Sequence, residues 1–123
     1  MKNQAYRMAM LFDFYGDLLT ERQKEFYDLY YNEDLSLAEI AENYGISRQG
    51  VRDVIVRAEA AMTEIEDKTH IIRRFYQNRK EIAAIDAAAD RLLKSLDDGS
   101  CTDVMLDEIG RTIKEHTAKL MQE

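Results

Sequence analysis

No proline interrupts the 123 residues of this chain, and its five glycines stand at isolated positions. Proline breaks helices because its ring removes an amide donor and clashes with the preceding turn. A chain without it, and rich in Ala, Glu, Leu, Lys and Arg, meets no local obstacle to long helices. Little in it favours a sheet, so the predicted class is all-α. With 46% hydrophobic and 33% charged residues it has material for one compact head with a helical arm, and too little for two full domains.

Apolar spacing and capping residues divide the chain into helices. Met8, Leu11, Phe12, Tyr15 and Leu18 or Leu19 recur at three and four residues, which predicts a first amphipathic helix from about residue 4 to Gly16. In "LLTERQKEFYDLYYNED", Thr20 with Gln23 three residues on is a capping box, so a second helix is expected from Glu21 to about Tyr31. Phe26, Leu29 and Tyr30 would face the core, and the polar "NED" would end the helix. Ser36 with Glu39 forms another capping box, and Leu37, Ile40, Ala41 and Tyr44 give a third helix its apolar face. Gly45 sits where a left-handed C-cap is needed. Ile46 can then plug the core, Ser47 can cap a fourth helix, and Val51, Ile55 and Ala58 continue the apolar spacing.

A helix, a three-residue turn with glycine, and a second helix is the shape of a helix-turn-helix, though a plain helical corner without a ligand has the same shape. The exposed chemistry of the fourth helix separates the two readings. With Val51 and Ile55 inward, Arg48, Gln49 and Arg52 face outward, and Arg57 follows two turns on. Arginine reads guanine edges or clamps phosphates, glutamine can pair with adenine, and a helix N-terminus capped by Ser47 favours a phosphate. Ser47, Arg48, Gln49, Arg52 and Arg57 are therefore the candidate nucleic-acid-binding residues. From Ser47 to Arg57 the three arginines and Asp53 leave a net charge of +2, whereas residues 1–66 carry seven basic and thirteen acidic residues, a net −6. A locally basic face on an acidic body permits contact with nucleic acid but opposes strong non-specific binding.

"LLTERQKEFYDLYYNEDLSLAEIAENYGISRQGVRDVIVRAEAAM" resembles region 4 of bacterial sigma factors, in which a leading "LT.RQ" helix precedes an "EIA...GIS...V" helix-turn-helix. With "LFDFYGDLL" before it and "RRFYQNRKEI" behind it, the stretch from about residue 6 to 82 resembles the YlxM family. These are small bacterial proteins whose genes commonly sit beside that of the signal recognition particle GTPase. The resemblance implies a sigma region 4-like head, of the winged-helix-like class without a wing, on a nucleic-acid-binding regulator linked to the signal recognition particle pathway. Gene neighbourhood is an associational argument, because fold and operon do not fix function. Two positions depart from the family pattern, where an aromatic often replaces Arg52 and an alanine Gly50. Arginine at 52 strengthens the phosphate-contact reading, and glycine inside a helix costs about 1 kcal/mol relative to alanine. Independent transcription initiation is not expected, since promoter-melting and polymerase-binding regions are lacking.

The helix-turn-helix is expected to end near Met62, giving a head of residues 1–66 and an arm of residues 67–123. "KTHIIRRFYQNRK", residues 68–80, holds five basic residues and no acidic one. Arg73, Arg74, Arg79 and Lys80 would form a secondary basic patch, with Tyr76 stacking on an unpaired base. Equally, the tract can be a solvated helix face with Phe75 in the core. Beyond it, Ile71, Phe75, Asn78, Ile82, Ile85, Ala89, Leu92 and Leu96 alternate steps of four and three, the seam of a coiled coil or long bundle helix. Gly99 breaks the pattern, and Thr102 can cap a last helix carrying Leu106, Ile109, Ile113 and Leu120. The seam spans about 39 Å at 1.5 Å per residue, too long for a small head to cover, so a homodimer through the arm is expected.

The ingredients of an enzyme are missing. His70 and His116 are isolated in sequence, no glycine-rich phosphate loop occurs, and the acidic pairs lack metal-ligand spacing, so neither catalytic residue, metal nor cofactor is expected. Cys101 has no cysteine to pair with. Met8 to Phe12, the apolar run near the start, is too short for a signal peptide or membrane span, which points to a cytoplasmic chain without membrane contact. Two functions stand: a regulator that binds duplex DNA or structured RNA, and an interaction module that docks on the signal recognition particle GTPase or RNA polymerase without reading nucleic acid.

Overall fold

A computed structural model of the chain describes residues 5–122. Among the described residues six α-helices follow one another, α1 (Ala5–Tyr15), α2 (Glu21–Tyr31), α3 (Leu37–Tyr44), α4 (Arg48–Thr69), α5 (Ile71–Asp97) and α6 (Asp103–Leu120), with a 3-10 turn at Gly16–Leu18. No strand occurs among the described residues. The expected start of the first helix at residue 4 lies outside them. The chain divides into two compact units, Met1–Ile72 and Arg73–Glu123.

In the first unit the caps act where the sequence placed them. Thr20 Oγ1 accepts from Gln23 N at 3.2 Å while the Gln23 side chain accepts from Thr20 N at 3.0 Å. Ser36 and Glu39 do the same at 3.1 and 3.2 Å. Each box satisfies two amides that the first turn of a helix leaves without partners. The helices then bury one face each. Phe26, Tyr27, Ile40, Val51, Ile55, Ala58 and Met62 are fully buried, with Met8, Leu11, Tyr15 and Tyr30 beside them. Phe12 stacks on Tyr27 at 5.0 Å, and Tyr27 donates its hydroxyl to the Met8 carbonyl at 2.5 Å, so the ring packs in the core with its polar end satisfied.

α4 runs to Thr69, beyond Met62, near which the helix-turn-helix is expected to end. Its last turns are held by the head. Met62 is buried, Ile65 packs on the core, and the Glu66 carboxylate accepts from the Tyr15 hydroxyl. The same carboxylate accepts from Ile72 N at 3.0 Å, capping the start of α5 across His70, which takes the left-handed conformation at φ 55°. Burial, and then the bond to Glu66, push the Tyr15 hydroxyl pKa above its ordinary value. Ile72 is buried in this core, which carries the head past residue 66.

In the second unit α5 and α6 form an antiparallel hairpin. Glu81 bonds His116 and Arg91 bonds Glu108 at 3.1 Å, while Ala88, Ser95 and Ile109 are buried. His116, isolated in sequence, is therefore a structural partner of α5. Gly110 lies inside α6, and a Cβ placed on it would meet nothing within 4 Å. Gly110→Ala is expected to stabilise the protein by about 0.5–1 kcal/mol through the entropy glycine loses in a helix, seen as a higher urea midpoint at constant m.

Candidate nucleic-acid interface

The turn between α3 and α4 is set by one glycine and one serine. Gly45 takes φ 67°, a conformation that side chains with a Cβ resist, and Gly45 N and Ile46 N both donate to the Ala41 carbonyl. Ile46 packs against the core from the turn. Ser47 Oγ accepts from Gly50 N at 2.9 Å and so starts α4. A Cβ on Gly50 would stand 3.1 Å from that hydroxyl oxygen. Glycine here costs helix propensity but leaves the cap uncrowded.

Val51 and Ile55 are fully buried and fix the rotation of α4. Ser47, Arg48, Gln49, Arg52 and Arg57 are all exposed. At about 100° per residue, Gln49 lies near the crest of the outward face, Arg48 and Arg52 on one flank, and Arg57 on the other. In a groove reader an amide of this kind faces base edges and guanidinium groups face the phosphates on either side.

Asp53, not singled out in the sequence, shares the crest. Gln49 Nε2 donates to Asp53 Oδ1 at 2.9 Å, an i,i+4 pair on one helix face. The bond occupies one amide hydrogen of Gln49 and leaves its oxygen and second hydrogen. Its signal was the spacing of four residues between an amide and a carboxylate.

The rest of α4 is of opposite sign. Residues 58–67 hold Glu59, Glu64, Glu66 and Asp67 and no basic residue. Met8, Val56, Glu59, Ala60, Thr63, Glu64 and Asp67 line an open groove along this half. Glu59 accepts from the Tyr31 hydroxyl, whose pKa is driven far above its ordinary value by burial and then by that bond. The acidity of the head is thus partly used in holding its own tyrosines, and the basic face is confined to the first three turns of α4.

The four cations of the secondary patch belong to the second unit. Arg73, Arg74, Arg79 and Lys80 are all exposed, but helical geometry separates them: Arg73 and Lys80, seven apart, share one face, while Arg79 is on another. Arg79 lies over the Phe75 ring at 5.7 Å, and Phe75 meets Tyr76 edge-on at 5.4 Å. Phe75 is 42% exposed, so it is not the core residue that one reading of the tract required. Among the described residues no group of three His, Cys, Asp or Glu side chains could hold a metal ion, and no helix is long and apolar enough to cross a membrane.

The sequence pattern that defines UPF0122, helix-turn-helix proteins like YlxM and p13, matches residues 2–98. A UPF0122 protein of Desulforamulus reducens is 46% identical over 80 residues, covering 65% of this chain and 68% of the relative. Another, from Acetivibrio thermocellus, is 45% identical over 94 residues, 71% of this chain and 80% of the relative. A third, from Halalkalibacterium halodurans, is 41% identical over 106 residues, 79% of this chain and 97% of the relative.

Proposed function

The chain belongs to the UPF0122 family of YlxM/p13-like helix-turn-helix proteins, and from that premise we propose that it is a regulatory protein that binds duplex DNA or structured RNA through the first three turns of α4. The observation that carries the reading is the placement of Gln49 on the crest of α4 between Arg48 and Arg52 on one flank and Arg57 on the other, all exposed. Ser47 adds a capped helix start whose remaining amides favour a phosphate. The head would act like region 4 of a sigma factor, presenting one short helix to a groove, with the arm joining two copies. On this reading the protein works in the cytoplasm as a homodimer in the signal recognition particle pathway and contacts components of that particle. On the same reading it is not an enzyme, and the mechanism uses no catalytic group, metal or cofactor.

Affinity would come from few phosphates and discrimination from one amide. Gln49→Ala is expected to reduce the preference between target sequences by about tenfold or more while leaving the salt dependence of binding unchanged, because an amide carries no charge to release a counterion. Competition titrations against permuted oligonucleotides at two salt concentrations check both halves.

The net charge of −7 favours a second reading, in which the head docks on the signal recognition particle GTPase or RNA polymerase. Crosslinking and pull-down from lysate with and without nuclease treatment separates the two. Partners that persist after nuclease treatment support docking, and partners lost with it support nucleic-acid binding.

A further inference from the structure

The crest of α4 carries a bonded pair of side chains. Gln49 and Asp53 are both exposed, lie four residues and about 40° apart, and are joined by the 2.9 Å bond from Gln49 Nε2 to Asp53 Oδ1. A glutamine amide has two N–H donors and a carbonyl acceptor, and its last torsion is broad and roughly two-fold, so an unheld amide offers either end to a ligand. Asp53 removes that freedom. Its carboxylate can only accept, which turns Nε2 towards it and leaves Gln49 with one N–H and Oε1 for whatever meets the crest. Ser47 already caps the helix by accepting from Gly50 N, so α4 starts without help from Asp53.

The major-groove edge of adenine calls for that donor and acceptor, since its N7 accepts and its N6 amino group donates, whereas guanine presents two acceptors and would need both N–H groups of the amide. Held by Asp53, Gln49 has one. The carboxylate keeps further lone pairs, and it repels phosphates and the oxygens of guanine and thymine alike, so an exocyclic amino group is the groove feature it can accept from. Asp53 lies about 6 Å beyond Gln49 along the helix, one or two base steps at about 3.4 Å each. Cytosine fits it there, because its groove edge offers the N4 amino group without the neighbouring N7 acceptor of adenine.

We infer that Gln49 and Asp53 form one reading unit that selects adenine and, one or two base pairs further on, cytosine in the major groove of duplex DNA. This unit rests on the proposed function and deepens it in two respects. Its target is duplex DNA and not structured RNA, because the major groove of A-form RNA is too deep and narrow for side chains to read. It also gives a use to Asp53, the one acidic residue among the three arginines between Ser47 and Arg57. The carboxylate weakens attraction to every phosphate backbone, and that loss is offset only where an amino group meets it. Elsewhere the acceptor is left desolvated and unpaired, so the charge lowers affinity while raising discrimination.

Selection of the full-length protein on a duplex DNA library with a randomised central segment, followed by sequencing and competition titrations of permuted sites, tests this unit. The parent should prefer adenine over guanine at one position and cytosine over the other bases at a second, by about tenfold each. Asp53→Ala frees the amide and removes the carboxylate, so both preferences should fall by about fivefold or more while affinity for unselected DNA at low salt rises about threefold. Asp53→Asn keeps an acceptor for Gln49 but adds an N–H that guanine and thymine can accept from, so the adenine preference should stay within about twofold and the cytosine preference should be lost. A residue that served only the helix would change affinity for all sequences alike, and circular dichroism reports helix content directly. Preferences unaltered in Asp53→Ala, whatever happens to affinity, would overturn the pair's role alone. A parent that binds structured RNA and no duplex DNA would overturn the pair's role and leave the proposed function standing, and one that binds neither would overturn both.

Discussion

Phe26→Ala is expected to lower the stability of the head by about 3–5 kcal/mol, because a fully buried phenyl ring is lost and its cavity is lined by helices that cannot all collapse inward. Phe26 comes from α2 and meets Tyr44 of α3 edge-on at 4.8 Å, so it seats the first helix of the helix-turn-helix on the core. The Arg22 guanidinium lies over its outer face at 5.3 Å. Small domains retain about 5–15 kcal/mol in all, so this one substitution removes a large share of what keeps α3 and α4 in place. A urea titration followed by tyrosine fluorescence should show the midpoint falling at nearly constant m. A loss under about 1 kcal/mol would mean that α2 does not carry the packing assigned to it.

The second large effect is on binding. If Arg48, Arg52 and Arg57 each neutralise one phosphate, a dimer touches about six, and log K against log salt for duplex DNA should slope near −5. Arg48→Ala with Arg52→Ala removes four of those contacts and should bring the slope to about −2. If the two lines converge near 1 M salt, affinity at 0.1 M falls roughly a thousandfold. Stability should change by less than about 0.5 kcal/mol, because both side chains are exposed and Ser47, which caps the helix, is untouched. An unchanged slope in a folded double variant would place the phosphate contacts elsewhere.

Much of the head was legible because its signals are local. A capping box needs two residues three apart, and both Thr20 with Gln23 and Ser36 with Glu39 form theirs. Gly45 and Ser47 likewise punctuate the turn through their own backbone geometry. The end of α4 was not legible, because what carries it to Thr69 is a carboxylate shared between Tyr15 and Ile72, residues far apart in sequence. On α5, periodicity revealed an apolar stripe without revealing its partner. α6 chose a face one position away, set by Ala88 and Ser95, whose small side chains allow close approach and carry little hydrophobic signal. In the candidate interface, the outward position of the arginines followed from the inward position of Val51 and Ile55. The Gln49–Asp53 bond went unread because two polar residues four apart can equally well both face water.

Binding of nucleic acid by α4 is tested by equilibrium titration of the intact protein with pooled cellular DNA and, separately, pooled cellular RNA at low salt. Saturable, salt-sensitive binding to at least one pool is expected, weaker than that of dedicated repressors because the head is acidic outside the first turns of α4. No detectable binding to either pool below about 100 μM, the range of non-specific DNA binders at physiological salt, would contradict it and leave α3 and α4 as a scaffold for docking on protein.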